Sequence, residues 1–331
     1  MSFSFQLERP LYYNEPFLFD IWEGCARDQK KTSPRWLYDA KGSELFDRIT
    51  ELPEYYPTRT EFSILHKLAA KIGQILGPRV SLVEYGAGSG EKAQILLEAT
   101  QDPFEYVPLD ISFDHMEEGL VPLKREFPSL RVRPMEGDFL SLEENVGLGA
   151  EGAHVGFFPG STIGNLNDTE IAAFMKGARQ QLGEDSYFIL GADLCKSLDV
   201  LIPAYDDAQG VTREFNLNLL TRINRELHGT FESRQFSHVA RWNAEDSAIE
   251  MHIQSLSAQS FSIAGRTFSM TKGESIHTES SRKFTPESLE HLVQSNGWEI
   301  EFLETDNRQY FAVLLLKALP YKSRGTNTKL I

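Results

Sequence analysis

Cysteine is scarce: only Cys25 and Cys195 occur in 331 residues, far apart and outside any CxxC pair. Neither a disulfide framework nor a zinc knuckle is therefore expected, and a reducing compartment, the cytoplasm, fits best. Positive charge is short as well, with 33 Lys and Arg against 48 Asp and Glu, no basic run and a formal net charge of −15. That balance repels a nucleic-acid backbone or an anionic membrane surface and leaves small-molecule chemistry as the default. Nowhere do roughly 18 uncharged apolar residues run together, and the segment Met1 to Pro10 carries Glu8 and Arg9, so neither a membrane span nor a signal peptide is read. The eight histidines never fall at an HxH or HExxH spacing, so no metal is expected. Internal repeats and low-complexity tracts are missing too. A monomer without nucleic-acid or membrane partners is the expectation.

Hydrophobic residues make up 41% of the chain, enough for a proper core. Their order alternates strand and helix. Residues 80–85 (VSLVEY) are a short apolar run that stops at Gly86, Gly88 and Gly90, and 91–99 then has helical spacing. The run 106–109 stops at Asp110, a helical stretch covers 113–126, and a third short run near Val132 ends at Gly137-Asp138. Strands over 154–159 and 187–194 flank an amphipathic helix over 168–182 that Gly183 closes. Strands and helices in this order predict a parallel sheet covered on both faces.

After Lys196 the pattern changes. Residues 211–227 read as a helix, and from 236 to 283 apolar and polar residues alternate, with a turn at Ala264-Gly265, as in an antiparallel insert. The first pattern returns with a helix opened by Thr285-Pro286-Glu287, ending near Gly297, and two strands over 298–305 and 310–317. The predicted organisation is a core over 57–196 plus 284–320, a second lobe from 1–56 plus 197–283, and a flexible tail over 321–331.

Ligands of open parallel sheets sit beyond the carboxyl ends of the strands, which points to the turn Gly86-Ala87-Gly88-Ser89-Gly90. A dinucleotide fingerprint needs a small residue where Glu91 stands, and that carboxylate repels a pyrophosphate, which speaks against a nicotinamide-dependent oxidoreductase. Glu84 before the turn and Asp110 at the end of the next strand instead suit a ligand with hydroxyls to donate and a positive sulfonium, S-adenosylmethionine. On this reading Asp110 accepts from the ribose, while Asp138 and Phe139 flank the adenine. Each aspartate also has a plainer reading as the cap of the following helix. The stretch 157–166 (FFPGSTIGNL), after the fourth strand, stands where a class I methyltransferase presents groups to its methyl acceptor, and Asn165 offers an amide there.

Five ordered blocks carry a resemblance: WLYDAKGSELF (36–46), LPEYYPTRTE (52–61), GSTIGNL (160–166), AYDDAQGV (204–211) and TESSRKF (278–284). From about residue 34 to 317 the chain resembles the histidine Nα-methyltransferases of ergothioneine biosynthesis. The resemblance implies an α/β fold, a class I Rossmann-like methyltransferase sheet with a second, α+β substrate lobe. It implies successive methylation of L-histidine to its trimethyl betaine, hercynine, with S-adenosylmethionine as cosubstrate. Gly86, Lys92, Asp110, Asp138 and Phe139 match its cofactor positions, to which the reading of the turn adds Glu84 and Gly88. Tyr55, Asn165, Tyr205, Glu279 and Ser281 match the positions that hold histidine, with Asn165 and Tyr205 near its backbone end and Glu279 and Ser281 near its imidazole. Tyr38 and Met251 match pocket lining, and Asn165 and Tyr38 are the groups expected beside the reacting amine. The chain departs from the family pattern in its glycine-rich turn and in Pro159 before GSTIGN, which bears on the shape of the turn alone.

Glu279 and Ser281 are two residues apart, so an extended strand points both to one side. A carboxylate and a hydroxyl there can satisfy the donor and the acceptor nitrogen of a neutral imidazole, whereas an apolar side chain leaves a buried carboxylate unpaired. The competing readings are another amino acid acceptor such as tryptophan, and a non-catalytic S-adenosylmethionine-binding module.

Overall fold

The computed structural model describes residues 13–141, 146–149 and 151–320; Met1 to Pro10 and the tail expected over 321–331 lie outside the described residues. Its larger sheet has eight strands, in the order Trp298–Thr305, Phe311–Ala318, Tyr187–Asp193, His154–Phe158, Ser81–Tyr85, Glu105–Asp110, Arg131–Val132, with Met135–Glu136 also pairing with Glu105–Asp110. Pairing is parallel from Tyr187–Asp193 to the far edge, and antiparallel among the last three elements at the other edge. The central strands are buried on both faces, as continuous apolar runs require. On one face Ile64, Leu65, Leu68 and Ile72 of helix Tyr56–Leu76 pack with Ala93 and Leu96 of helix Glu91–Ala99. On the other, Phe174 and Met175 of Asp168–Leu182 pack with Leu289 and Val293 of Pro286–Ser295. Both of these last helices begin with reciprocal capping, Asn167 with Glu170 and Thr285 with Ser288, which satisfies orphan N–H groups at each start.

A second sheet of four strands, in the order Lys30–Lys31, Ser275–Arg282, Ala248–Ser255, Phe236–Asn243, has a core of its own. Ile249, Met251 and Ile253 turn one face toward Phe215 and Leu219 of helix Val211–Glu226 and toward Phe17, Trp36 and Leu45 of the N-terminal segment. Gln259–Ile263 and Arg266–Met270 form a separate hairpin around Ala264 and Gly265. The chain leaves the large sheet and returns at one place. Leu194 and Phe284 form a parallel bridge, Cys195 N–H donates to Phe284 O at 2.8 Å, and Phe284 N–H donates to Asp193 O at 2.9 Å.

Two departures from the sequence reading have local causes. The stretch 113–126 is two helices, Phe113–Gly119 and Val121–Glu126, because Pro122 fits only the first turn of a helix and forces a new start. The N-terminal segment, for which no element was expected, holds helices Glu15–Ala26 and Ala40–Thr50, opened by Asn14 and Asp39, whose side chains accept from Phe17 N–H and Gly42 N–H.

Candidate active site

One cavity of about 640 Å³ opens between the carboxyl ends of the parallel strands and the second sheet. Gly86, Gly88, Asp110, Asp138 and Phe139 line it together with Tyr38, Tyr55, Asn165, Tyr205, Met251, Glu279 and Ser281. Two of the sequence-predicted residues are not among its lining. Glu84 lies below the turn, buried, where it accepts the hydroxyl proton of Tyr106, and burial pushes its carboxyl up to about 8. Glu84 thus makes its hydrogen bond inside the sheet, at odds with its expected place beside the ligand. Lys92 reaches sideways to Glu61, 2.6 Å away. Fully buried Glu61 also accepts from Gly160 N–H at 2.9 Å, so the pair ties the helix after the glycine turn to the loop that carries Asn165.

The glycine turn is held from below. The N–H groups of Gly86 and Ala87 both donate to Leu109 O, at 2.8 and 3.1 Å, and Gly88 N–H donates to Asp110 Oδ2 at 3.0 Å. Gly86 and Gly88 have φ of 72° and 53°, and a Cβ at Gly88 meets nothing within 4 Å. The turn therefore fronts open space of the kind a ligand fills. Asp110 has both plain and functional uses: Oδ1 accepts from Ser112 N–H at 2.8 Å, while its carboxylate edges the cavity with lone pairs to spare. Asp138 accepts from Leu140 N–H at 2.9 Å and from Arg35 Nη1 at 3.0 Å, and Phe139 stands edge-on to Phe158 with centroids 5.1 Å apart. Two carboxylates, Asp110 and Asp138, and the aromatic face of Phe139 border one space. These residues fit an adenosyl group.

The other wall is polar and buried. Gly160 and Ser161, at φ 76° and 60°, turn the chain into the short helix Thr162–Asn165. This helix packs so tightly on Ser275–Arg282 that a Cβ at Gly164 comes within 2.8 Å of Arg282 O. That approach brings Asn165 Nδ2 to 3.0 Å from Glu279 Oε1. The strand itself slips register between His277 and Glu279, and the bulge at Thr278 leaves Glu279 opposite Met251 and Ser281 opposite Ile249. Glu279 and Ser281 share a side, as their spacing predicts. Tyr205 OH lies 2.7 Å from Ser281 Oγ. The polar residues thus pair as Asn165 with Glu279 and Tyr205 with Ser281, across the division between backbone end and imidazole end that the resemblance implies.

Burial sets the protonation of these groups. It raises Tyr38, Tyr55 and Tyr205 well above the usual phenol range, so all three stay neutral donors. It pushes Glu279 up to about 7, against the opposing pull of Lys283. Beneath the wall runs a charged network that sequence reasoning misses. Asp193 Oδ2 is 2.8 Å from Lys283 Nζ, and its Oδ1 is 2.5 Å from Lys196 Nζ, with Tyr56 OH donating to the same carboxylate at 2.7 Å. Lys283 lies within the block TESSRKF and Glu61 within LPEYYPTRTE, so block membership was their only signal. Cross-strand register also gathers Glu250, His252 and His277, whose ligand atoms lie within 4.8 Å of one another, a grouping invisible to spacing along the chain. Arg241 Nε stands 3.2 Å from that glutamate and His252 Nε2 at 2.9 Å, so the carboxylate is already engaged.

Residues 17–318 match the family described as histidine-specific methyltransferase, SAM-dependent. The chain is 39% identical over 276 residues to a histidine N-alpha-methyltransferase of Mycolicibacterium smegmatis, covering 82% of this chain and 85% of that protein. It is 36% identical over 275 residues to the protein of that name from Mycobacterium tuberculosis, again covering 82% and 85%. Ergothioneine biosynthesis protein 1 of Neurospora crassa is 32% identical over 197 residues, 57% of this chain and 22% of that much longer protein. A glycine turn fronting open space, an adjoining buried polar wall and this continuous match lead to one assignment: the chain belongs to the family of histidine-specific, SAM-dependent methyltransferases.

Proposed function

We propose that the chain transfers methyl groups from S-adenosylmethionine to the α-amino nitrogen of L-histidine three times in succession, giving hercynine, a step of ergothioneine biosynthesis. The observation that carries the substrate is the buried pair of acceptor and hydroxyl, Glu279 held by Asn165 at 3.0 Å and Ser281 held by Tyr205 at 2.7 Å, in the cavity that the glycine turn borders. Gly86, Gly88, Asp110, Asp138 and Phe139 hold the cosubstrate, which supplies an electrophilic methyl on sulfur. Lys92, anchored to Glu61, keeps the helix behind the turn and the Asn165 loop in fixed relation.

Attack needs a neutral amine lone pair in line with the methyl, so orientation supplies most of the acceleration. Asn165 and Tyr38 stand beside the amine. Because the tyrosines are neutral phenols and Glu279 is drawn to the ring, water carries away the amine proton before each attack. Lobes over 57–196 plus 284–320 and over 1–56 plus 197–283 bring cosubstrate and acceptor together. Among the described residues no helix is long and apolar enough to cross a membrane, and the reading places the enzyme in the cytoplasm as a monomer.

Purified protein incubated with S-adenosylmethionine and an equal mixture of the common amino acids, with products read by mass, tests this. Histidine carrying three methyls is expected. Methylation of tryptophan instead overturns the reading of Glu279 and Ser281, and a monomethyl product persisting at long times overturns the succession.

A further inference from the structure

Lys283 does not line the cavity, yet it touches two hydroxyls that do, those of Tyr205 and Ser281. Its side chain and that of Asp193 are wholly inaccessible, and Nζ lies 2.8 Å from Asp193 Oδ2, 2.7 Å from Tyr205 OH and 2.7 Å from Ser281 Oγ. An ammonium has three protons and no lone pair, so each of those oxygens accepts from it. Tyr205 and Ser281 are also 2.7 Å from each other and share one hydroxyl proton. The phenol is the stronger acid and the alcohol the better acceptor, so Tyr205 donates to Ser281. Ser281 Oγ then accepts twice, from Lys283 and from Tyr205, which fills both of its lone pairs. Its own proton has one direction left, the cavity that Ser281 lines. Two residues away Glu279, an acceptor when ionised, takes the Asn165 amide on Oε1 and keeps Oε2 for a ligand.

We infer that Lys283 is a positioning residue that fixes Ser281 as a hydrogen-bond donor, so that with Glu279 the wall accepts a ring bearing one N–H and one bare nitrogen in a single orientation, one tautomer of neutral imidazole. The inference rests on the proposed placement of histidine at this wall. It extends that placement by saying what the wall refuses. A doubly protonated imidazolium offers a proton to a serine that has no lone pair left, and a pyrrole or indole offers a C–H where the serine donates. Without Lys283 the serine regains a lone pair and turns either way, and the refusal lapses. Asp193 keeps Lys196 at 2.5 Å and Tyr56 at 2.7 Å, so removing Lys283 does not strand the carboxylate.

The experiment compares histidine with 2- and 3-pyrrolylalanine, which keep one ring N–H and replace the bare nitrogen by C–H, in wild type, Lys283→Met, Ser281→Ala and the double variant, with S-adenosylmethionine affinity by calorimetry. Wild type is expected to prefer histidine in kcat/KM by at least ~100-fold. Lys283→Met lowers that preference below ~10-fold, chiefly through the KM of histidine and with unchanged cosubstrate affinity. Ser281→Ala does the same, and the double variant loses no more than either single one. Lys283→Met keeping the wild-type preference while Ser281→Ala loses it overturns the role of Lys283 alone. Wild type that accepts a pyrrole as readily as histidine overturns the placement beneath it. Should Lys283→Met fail to bind the cosubstrate, Tyr205→Phe decides: it too takes a donor from Ser281 and returns a lone pair to it, so a lost preference supports the inference and a preserved one overturns it.

Discussion

Replacing Glu279 by Gln separates the cost of a buried carboxyl from its use. The side chain is 7% exposed, and burial moves its pKa from the ordinary 4.5 to about 7. The sign follows from proton binding: between these two values the folded chain holds a proton that the unfolded chain has lost, so stability is full below about 4.5 and declines as pH rises through about 7. At ~1.4 kcal/mol per pH unit the decline amounts to roughly 3 kcal/mol. Gln keeps the shape and an acceptor for Asn165 without a proton to lose. Urea unfolding of the unliganded proteins at about pH 5 and about pH 8.5 is then expected to show little difference at the lower pH and an advantage of roughly 3 kcal/mol for the variant at the higher one. Glu84, pushed up to about 8, titrates in both proteins and cancels from the comparison. The same variant is expected to lose ~100-fold in kcat/KM for histidine, since a charge-assisted hydrogen bond becomes a neutral one. An advantage of equal size at both pH values refutes the burial argument.

Asp193→Asn leaves two buried ammonium groups, those of Lys196 and Lys283, without their shared carboxylate. A loss of about 3–5 kcal/mol in unfolding free energy is expected; a loss below ~1 kcal/mol means the network is dispensable. Asp110→Ala removes the acceptor of Gly88 N–H and Ser112 N–H together with the proposed ribose acceptor, and calorimetry is expected to show S-adenosylmethionine affinity falling at least ~10-fold, while Asp110→Asn, which keeps one acceptor oxygen, falls less.

The large sheet was legible because its strands are buried on both faces and end at residues with one conformational use. The run ending at Gly86 and the helix over Asp168–Leu182 with its asparagine cap and closing glycine both stand where pattern puts them. The antiparallel insert declared itself through alternation around Met251 and through Ala264-Gly265. The N-terminal helices were not legible, since they are short and take their stability from a core supplied by residues some 200 positions later. The cavity residues on the blocks were legible as a set, but their partners were not. That Asn165 meets Glu279 follows from the close approach at Gly164, and that Glu84 turns to Tyr106 follows from neighbouring strands in register. Asp193 and Lys283 lie 90 positions apart and pair only because the chain leaves and re-enters the sheet at one point.

That shared point of exit and entry has an evolutionary meaning. Since Leu194 and Phe284 sit side by side, everything between them is a closed loop, a cassette that can be lengthened, reshaped or exchanged without moving any strand of the sheet it departs from. Glu279 and Ser281, the side chains proposed to read the acceptor's ring, ride on this cassette, while the glycine turn and Asn165 do not. Swapping cassettes between relatives is therefore a direct route to a new acceptor, on one condition. The graft must bring its own lysines two residues after the exit point and one residue before the re-entry point, because both partners of Asp193 ride on the cassette while the host keeps Asp193 and will bury it there regardless.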